Sequence, residues 1–345
     1  MRAVILPEPG RFELTEVPDP IPGPREVLVE VAAVGICGTD VHVLDGEFEP
    51  TVHPLIPGHE TSAVVRAVGE QVTEVGPGDR VSVDPTLTCG ECSQCTVGRN
   101  NLCENWNGTG VGRTDGSIAE LMVAPVRNVH RLPEGVDLDL AALIEPLSCA
   151  IHGFDLLPRR MGEHYLVYGA GTMGLMMAQL APRAGAASVT IVDRNPDRLE
   201  LAREVGIETA VLSPDEAPRA SGWEVVIDCT GAVPAIEDGL TRVRRGGVFQ
   251  QFGVAGVDAR AGFSPFRVYN DEITVVGSMA VLNSYGRAVE MFASDALVAA
   301  PMVSHAFSLA DFGEAVEMFR SGAGRKLQIR PGLSASVALL DSSAG

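Results

Sequence analysis

The sequence predicts an α/β fold in two parts, a β-rich first part followed by a doubly wound parallel-sheet part. Two observations predict it. Up to about residue 140, short β-branched runs are bounded by strong turns, whereas beyond it strand-like and helix-like segments alternate. A glycine-rich turn, Gly169-Ala170-Gly171-Thr172-Met173-Gly174, then stands between a strand pattern and a helix pattern, the context in which such a turn can hold a dinucleotide.

In the first part, Val27–Val34 lies between Pro22-Gly23-Pro24 and Gly35, and Thr61–Val68 lies between Gly58 and Gly69. Gly76-Pro77-Gly78-Asp79 turns the chain into Arg80–Val83. Short strands with such turns suggest a closed or partly closed antiparallel barrel. Leu140–Phe154 has helical spacing. The alternation then runs through strand His164–Tyr168, helix Thr172–Arg183, strand Ser188–Val192, helix Pro196–Val205, strand Trp223–Ile227, helix Val233–Val243, and strands Gly247–Phe252 and Ile273–Val276. Helix Tyr285–Ala293, an apolar link Met302–Leu309, helix Leu309–Phe319 and strand Lys326–Pro331 follow. Residues beyond Gly332 read as a weakly patterned tail. A chain of 345 residues exceeds one ordinary core, so two domains are expected, with boundaries at 1–149, 150–285 and a final 286–345 segment.

Four of the seven cysteines fall within fifteen residues, Cys89, Cys92, Cys95 and Cys103, in a lobe spanning about 86–106. Thiolates spaced C-x2-C-x2-C-x7-C converge on a soft metal. An iron–sulfur run shares the first three positions but expects C-x3-C-P; here the last gap is seven and Glu104 follows. Tetrahedral zinc fits better. Closed by four thiolates, it leaves no room for substrate, so its role is structural.

A second set is quieter. Cys37 and, five residues on, His42 follow an apolar strand, with Thr39 between them. His59 comes 22 residues after Cys37, beside Glu60, and Glu145 precedes Pro146. Singly, each is an ordinary core or capping residue. Together they offer thiolate, imidazole and carboxylate, the ligand types of an open catalytic zinc. Thr39 and His42 are placed to pass a proton from a bound alcohol outward. In the glycine turn, Gly169 permits the tight bend, Gly171 lets backbone approach a pyrophosphate, and Gly174 allows close helix packing, while the helix N-terminus at Thr172 and Met173 offers free N–H groups. Nineteen residues after Gly174, Asp193 can accept both adenosine ribose hydroxyls and repel a 2′-phosphate, which favours NAD over NADP, although Arg194 beside it can attract that phosphate.

Formal charge is −19. An acidic field opposes nucleic-acid binding. No apolar run reaches the roughly 20 residues that cross a bilayer, and Met1–Leu6 leads into Pro-Glu-Pro-Gly without a signal-peptide core. With clustered free thiols, these features point to the cytoplasm.

Cys37 with Thr39 and His42, Gly58-His59-Glu60, the four-cysteine lobe and the later glycine motif resemble the zinc-dependent medium-chain alcohol dehydrogenase family from about residue 1 to 331. The resemblance implies a GroES-like β-rich catalytic domain, a Rossmann domain, and a C-terminal segment returning to the first. It implies one catalytic and one structural zinc, NAD, a small alcohol or polyol substrate, and a homodimer or homotetramer. Cys37 and His59 match catalytic zinc ligands, and Thr39 and His42 match the proton relay. Glu145-Pro146-Leu147-Ser148 is similar to the sorbitol dehydrogenase branch, in which that glutamate approaches zinc directly or through water and Glu60 is an alternative ligand. By the same match, Asp193 and Arg198 contact the NAD ribose, and Val254, Ser278 and Met279 lie at strand ends near the nicotinamide. Cys149, four positions from Glu145, reads as a buried thiol. The chain departs from the sorbitol enzymes where Ala280-Val281 replace an Arg-Tyr pair and Val43-Leu44 replace an aromatic pair. Oxidation of a secondary alcohol to a ketone is the function implied. A threonine-type amino-alcohol dehydrogenase is the alternative, and a non-catalytic nucleotide-binding protein of the same fold is a third.

Overall fold

The computed structural model describes residues 1–339. They form two compact units. One comprises Met1–Ser148, Val281–Asp295 and the chain from Met302; the other comprises Cys149–Ala280 and Ala296–Pro301.

The first unit is organised by the 11-residue strand Glu26–Ile36. Alternate residues Val27, Val29 and Val31 are buried in the core, each contributing about 1.5–3 kcal/mol by leaving water. One edge of this strand pairs antiparallel with Glu60–Val68. The other pairs with Leu121–Pro125 along residues 26–30 and with Lys326–Ile329 along residues 34–36. The C-terminal strand therefore returns to the first unit, as the family resemblance implied, and sets Leu327 opposite Ile36. The sheet has eight strands and runs from Val337–Ala338 at one end to Val129–Arg131 at the other.

Two segments differ from their sequence reading. The apolar link contains a strand, Val303–Phe307, parallel to Lys326–Ile329. Within the tail beyond Gly332, Val337–Ala338 pairs antiparallel with Val303–Phe307. Both follow from packing on a sheet that a local pattern does not reveal. Residues 340–345 lie outside the described residues.

The second unit is a six-stranded parallel sheet. Its order is Thr209–Val211, Ala186–Val192, Glu163–Tyr168, Trp223–Asp228, Val243–Gln251, Thr274–Gly277. The chain starts in the middle, winds to one edge, returns and winds to the other, which opens a crevice at the carboxyl ends where the direction reverses. Leu166, Val226 and Phe249 are buried in its core. The helix expected over Thr172–Arg183 is α-helical to Leu180 and tightens to a 3-10 turn over Ala181–Ala184, where Pro182 lacks the N–H that would continue it.

Candidate metal centre and cofactor crevice

Cys37 ends the Glu26–Ile36 strand and caps the helix Gly38–Asp45. Its sulfur accepts from Thr39 N at 3.3 Å, and its own N–H donates to Asp40 Oδ2 at 2.9 Å. This reciprocal cap fixes the thiol at the mouth of the helix. The other Asp40 oxygen lies 3.1 Å from His59 Nδ1, so His59 Nε2 faces Cys37 Sγ at 3.2 Å. Asp40 thus orients both the thiol and the imidazole.

Glu60 points to the same side. Its two oxygens lie 2.6 and 2.5 Å from Lys326 Nζ. The returning strand places Lys326 here, one residue before the Leu327–Ile36 pair. Glu145, in the first turn of the helix Ile144–Asp155, completes a second set: ligand atoms of His59, Glu60 and Glu145 lie within 4.8 Å of one another, as do those of Cys37, Asp40 and His59. Exposure is 4% for Asp40, 8% for His59, 2% for Glu60 and 4% for Lys326.

Electrostatics suit a cation. Burial alone would depress the His59 pKa, but the Cys37 sulfur and the Asp40 carboxylate outweigh it and hold it well above the ordinary value. Burial likewise opposes the charge on Lys326, yet Glu60, Cys37 and Asp40 hold its pKa raised. The Cys37 sulfur and the carboxylates of Asp40, Glu60 and Glu145 outnumber the Lys326 ammonium and the His59 imidazole around one small space, an arrangement that a bound cation balances. The donor set and its charge fit a divalent zinc with Cys37, His59 and a carboxylate as ligands.

Thr39 and His42 occupy one face of the Gly38–Asp45 helix, three residues apart. His42 Nδ1 lies 2.8 Å from Glu47 Oε2. Cys149, expected as buried, is half-buried.

The four-cysteine lobe is built from contiguous chain. All four sulfurs lie within 4.8 Å of one another, with Cys103 Sγ 3.5 Å from Cys89 Sγ and 3.9 Å from Cys92 Sγ. Backbone N–H groups of Glu91 and Cys92 pull the Cys89 thiol down to about 6, and backbone donors also lower that of Cys92. Burial pushes Cys95 up to about 12. All seven cysteines are free thiols. The set fits a tetrahedral zinc with no open position. A short ladder, Thr86–Leu87 against Asn107–Gly108, closes the neck of the lobe.

In the second unit, Gly169 and Gly171 carry the chain from the Glu163–Tyr168 strand into the helix Thr172–Leu180. A Cβ on Gly174 would lie 1.7 Å from Gly169 O, so only glycine fits there. One on Gly171 would meet nothing within 4 Å, which leaves backbone open to a ligand. Asp193 follows the next strand. Its oxygens accept from Ala170 N at 2.8 Å and Asn195 N at 2.9 Å, and Arg198 Nη1 lies 3.8 Å away. A cavity of about 490 Å³ is lined by Gly169, Asp193, Arg194, Arg198, Leu212 and Ser213, among others. Val254 stands beyond the carboxyl end of Val243–Gln251, and Ser278 and Met279 beyond that of Thr274–Gly277, rather than in this cavity. Ser278 Oγ is buried without a hydrogen-bond partner.

Sequence reasoning missed two residues of the metal cage. Asp40 carried a signal, a carboxylate at the third helical position after the capping Cys37. Lys326 carried none, since 266 residues separate it from Glu60.

A thiol–imidazole–carboxylate cage on one unit, with a dinucleotide-type crevice on the other, defines the chain as a metal-dependent oxidoreductase. Comparison with known proteins makes the class specific. Residues 23–134 match the alcohol dehydrogenase GroES-like domain, and residues 172–294 match the zinc-binding dehydrogenase family. D-arabinitol dehydrogenase 1 of Uromyces fabae is 33% identical over 342 residues, covering 96% of this chain and 97% of that one. L-threonine 3-dehydrogenase of Streptomyces coelicolor is 36% identical, covering 93% and 96%. A zinc-binding dehydrogenase of Sinorhizobium meliloti, solved with NADP, superposes with a TM-score of 0.90 at 34% identity, covering 96% and 99%. The chain belongs to the zinc-dependent medium-chain alcohol dehydrogenase family.

Proposed function

We propose that the protein oxidises a secondary alcohol of a polyol or sugar-derived substrate to a ketone, with NAD as hydride acceptor. The observation that carries this is the pair of half-buried Cys37 and buried His59, 3.2 Å apart, backed by Glu60 and Glu145 and flanked by Thr39 and His42 on one helix. When bound, zinc would act as a Lewis acid on the substrate oxygen and nicotinamide would take the hydride. Cys37, His59 and one of the two glutamates hold the metal. The Thr39 hydroxyl takes the departing alcohol proton and hands it outward. His42 receives it at Nε2, because Nδ1 is held at Glu47. The similarity to D-arabinitol dehydrogenase supports a polyol substrate.

Asp193 supports NAD, since a carboxylate at that strand end accepts ribose hydroxyls and repels a 2′-phosphate. Arg194 and Arg198 line the same cavity and make NADP the second choice, in keeping with the NADP found in the Sinorhizobium relative. A threonine-type activity is the alternative substrate reading, favoured by the similarity to threonine dehydrogenases. Turnover of a polyol panel and of L-threonine, each with NAD and NADP, tests both points. Polyol turnover with NAD should be fastest; faster oxidation of L-threonine would overturn the substrate reading.

A homodimer or homotetramer is part of this proposal. Thr274–Gly277 is the outermost strand of its sheet, and Val275 on it is 54% exposed. Phe266 and Tyr269 in the preceding helix are exposed as well. An open apolar edge of this kind invites pairing with a second copy, which light scattering would detect. Among the described residues no helix is long and apolar enough to cross a membrane. Seven free thiols suit the reducing cytoplasm in which we place the protein.

A further inference from the structure

The loop that follows the four-cysteine lobe ends against the peptide just before His59. A Cβ built on Gly110 would lie 2.1 Å from the Gly58 carbonyl oxygen and 2.6 Å from its carbon. One on Gly116 would lie 2.2 Å from that oxygen and 2.7 Å from Pro57 O. Both positions therefore bring backbone directly onto backbone. Gly58 itself has φ of 100° and is closed in on its far side by Ile118 and Val34.

Hydrogen bonds stitch the same contact. Gly116 N donates to Ile56 O at 2.7 Å, Ile118 N to Pro57 O at 2.9 Å, and Ser117 N to Gly58 O at 3.0 Å. Asp115 Oδ1 accepts from Ile56 N at 2.9 Å. Beyond the ligand, Thr61 Oγ1 donates to the buried Ser117 Oγ at 2.6 Å. The segment 56–61 is thus gripped before and after His59 and Glu60 by one loop.

We propose that Gly110 and Gly116 are positioning residues for the catalytic metal, acting through Gly58 to fix where the His59 imidazole meets Cys37. The inference rests on the reading of Cys37 and His59 as zinc ligands. Real Cβ atoms stay beyond 3.0 Å of such neighbours, so Gly110→Ala would displace the Gly58 carbonyl by roughly 0.9 Å, the difference from 2.1 Å. Zinc–ligand distances tolerate only about ±0.2 Å. The shift exceeds that tolerance several-fold, while the four cysteines lie outside the gripped segment. The clamp predicts loss of one metal and retention of the other.

The test is zinc content and thiol reactivity of Gly110→Ala and Gly116→Ala, with Gly286→Ala as control, since a Cβ there meets nothing within 4 Å. Zinc should fall from about two per chain to about one in the first two and stay near two in the control. The remaining zinc should keep the four lobe thiols unreactive while Cys37 becomes open to alkylation, a pattern that general loosening of the fold would not give. Folded alanine variants that hold about two zincs, and release them to chelator at the wild-type rate, would overturn the proposal. Should these variants fail to fold, Asp115→Ala removes one stitch without overlap. It should speed release of the first zinc at least about fivefold, and an unchanged rate would overturn the clamp. Cys37→Ser separates the two layers of the argument. If it too loses one zinc, the ligand reading stands whatever the glycine variants do; if it keeps two, that reading itself fails.

Discussion

The two cysteine sites of the first unit use the same soft ligand in opposite ways. The lobe gathers four thiols from fifteen residues of continuous chain, Cys89 to Cys103. The cage gathers one thiol, one imidazole and carboxylates from residues as far apart as Cys37 and Glu145, and is countered by Lys326. The lobe spends every coordination position on itself. The cage keeps a mixed donor set and an uneven charge. A metal saturated by sulfur can only hold structure, whereas one held by fewer and mixed ligands can meet a substrate.

The largest contrast should come from one substitution at each site. Cys37→Ser is expected to lower kcat/KM on the order of 10³-fold with little change in the unfolding midpoint. Cys92→Ser should do the reverse. It should forfeit much of a structural-zinc contribution of about 10 kcal/mol and lower the yield of folded protein, while the surviving fraction keeps its turnover, because the Thr86–Leu87 ladder and the Gly58 clamp do not depend on the lobe sulfurs. Denaturant melts beside initial rates read both.

Lys326→Met probes the charge balance peculiar to the cage. It strands Glu60 in a buried site and should cost about 3–5 kcal/mol of stability, measured by the urea midpoint of metal-loaded protein. The double variant with Glu60→Gln should recover part of that loss. Next in size is the relay. His42→Ala should lower turnover on the order of 10²-fold, with added imidazole restoring part of it and zinc content unchanged.

Acidity should also separate the sites. In zinc-free protein the His59 pKa is raised by Cys37 and Asp40 against the opposing effect of burial. Its charged form therefore stabilises the fold fully below the unfolded histidine value of about 6.5, and that contribution is lost as pH rises through the raised folded value. Calorimetry of the stripped enzyme should show stability falling in that window. Zinc uptake at the cage should release protons and tighten as pH rises. The smallest effect is expected in the second unit: Asp193→Ala should move the NAD-to-NADP affinity ratio toward NADP by roughly tenfold, about 1.4 kcal/mol, checked by titrating each dinucleotide.

The same contrast explains what the sequence disclosed. The lobe and the Gly169–Gly174 turn were legible because their chemistry is written in consecutive residues and each sits between recognisable strand and helix patterns. Cys37, His59, Glu60 and Glu145 were legible only as a set, by their combined ligand chemistry and then by family resemblance; alone they read as core or capping residues. Lys326 was invisible, because its partner is brought to it by a strand returning from the far end of the chain. The Val303–Phe307 strand was read as a link for the same reason: its identity comes from its neighbours in the sheet. Asp40 lay in plain view but its double hold on Cys37 and His59 needs three dimensions.

The central claim is that the two metals divide the labour, one for structure and one for chemistry. The most direct measurement follows zinc content, activity and thiol reactivity together while a chelator strips the native enzyme. Activity should vanish with the first equivalent of zinc, as Cys37 becomes reactive and the four lobe thiols stay protected. Full activity at one zinc per chain with Cys37 alkylated, or lobe thiols appearing in step with the loss of activity, would contradict it.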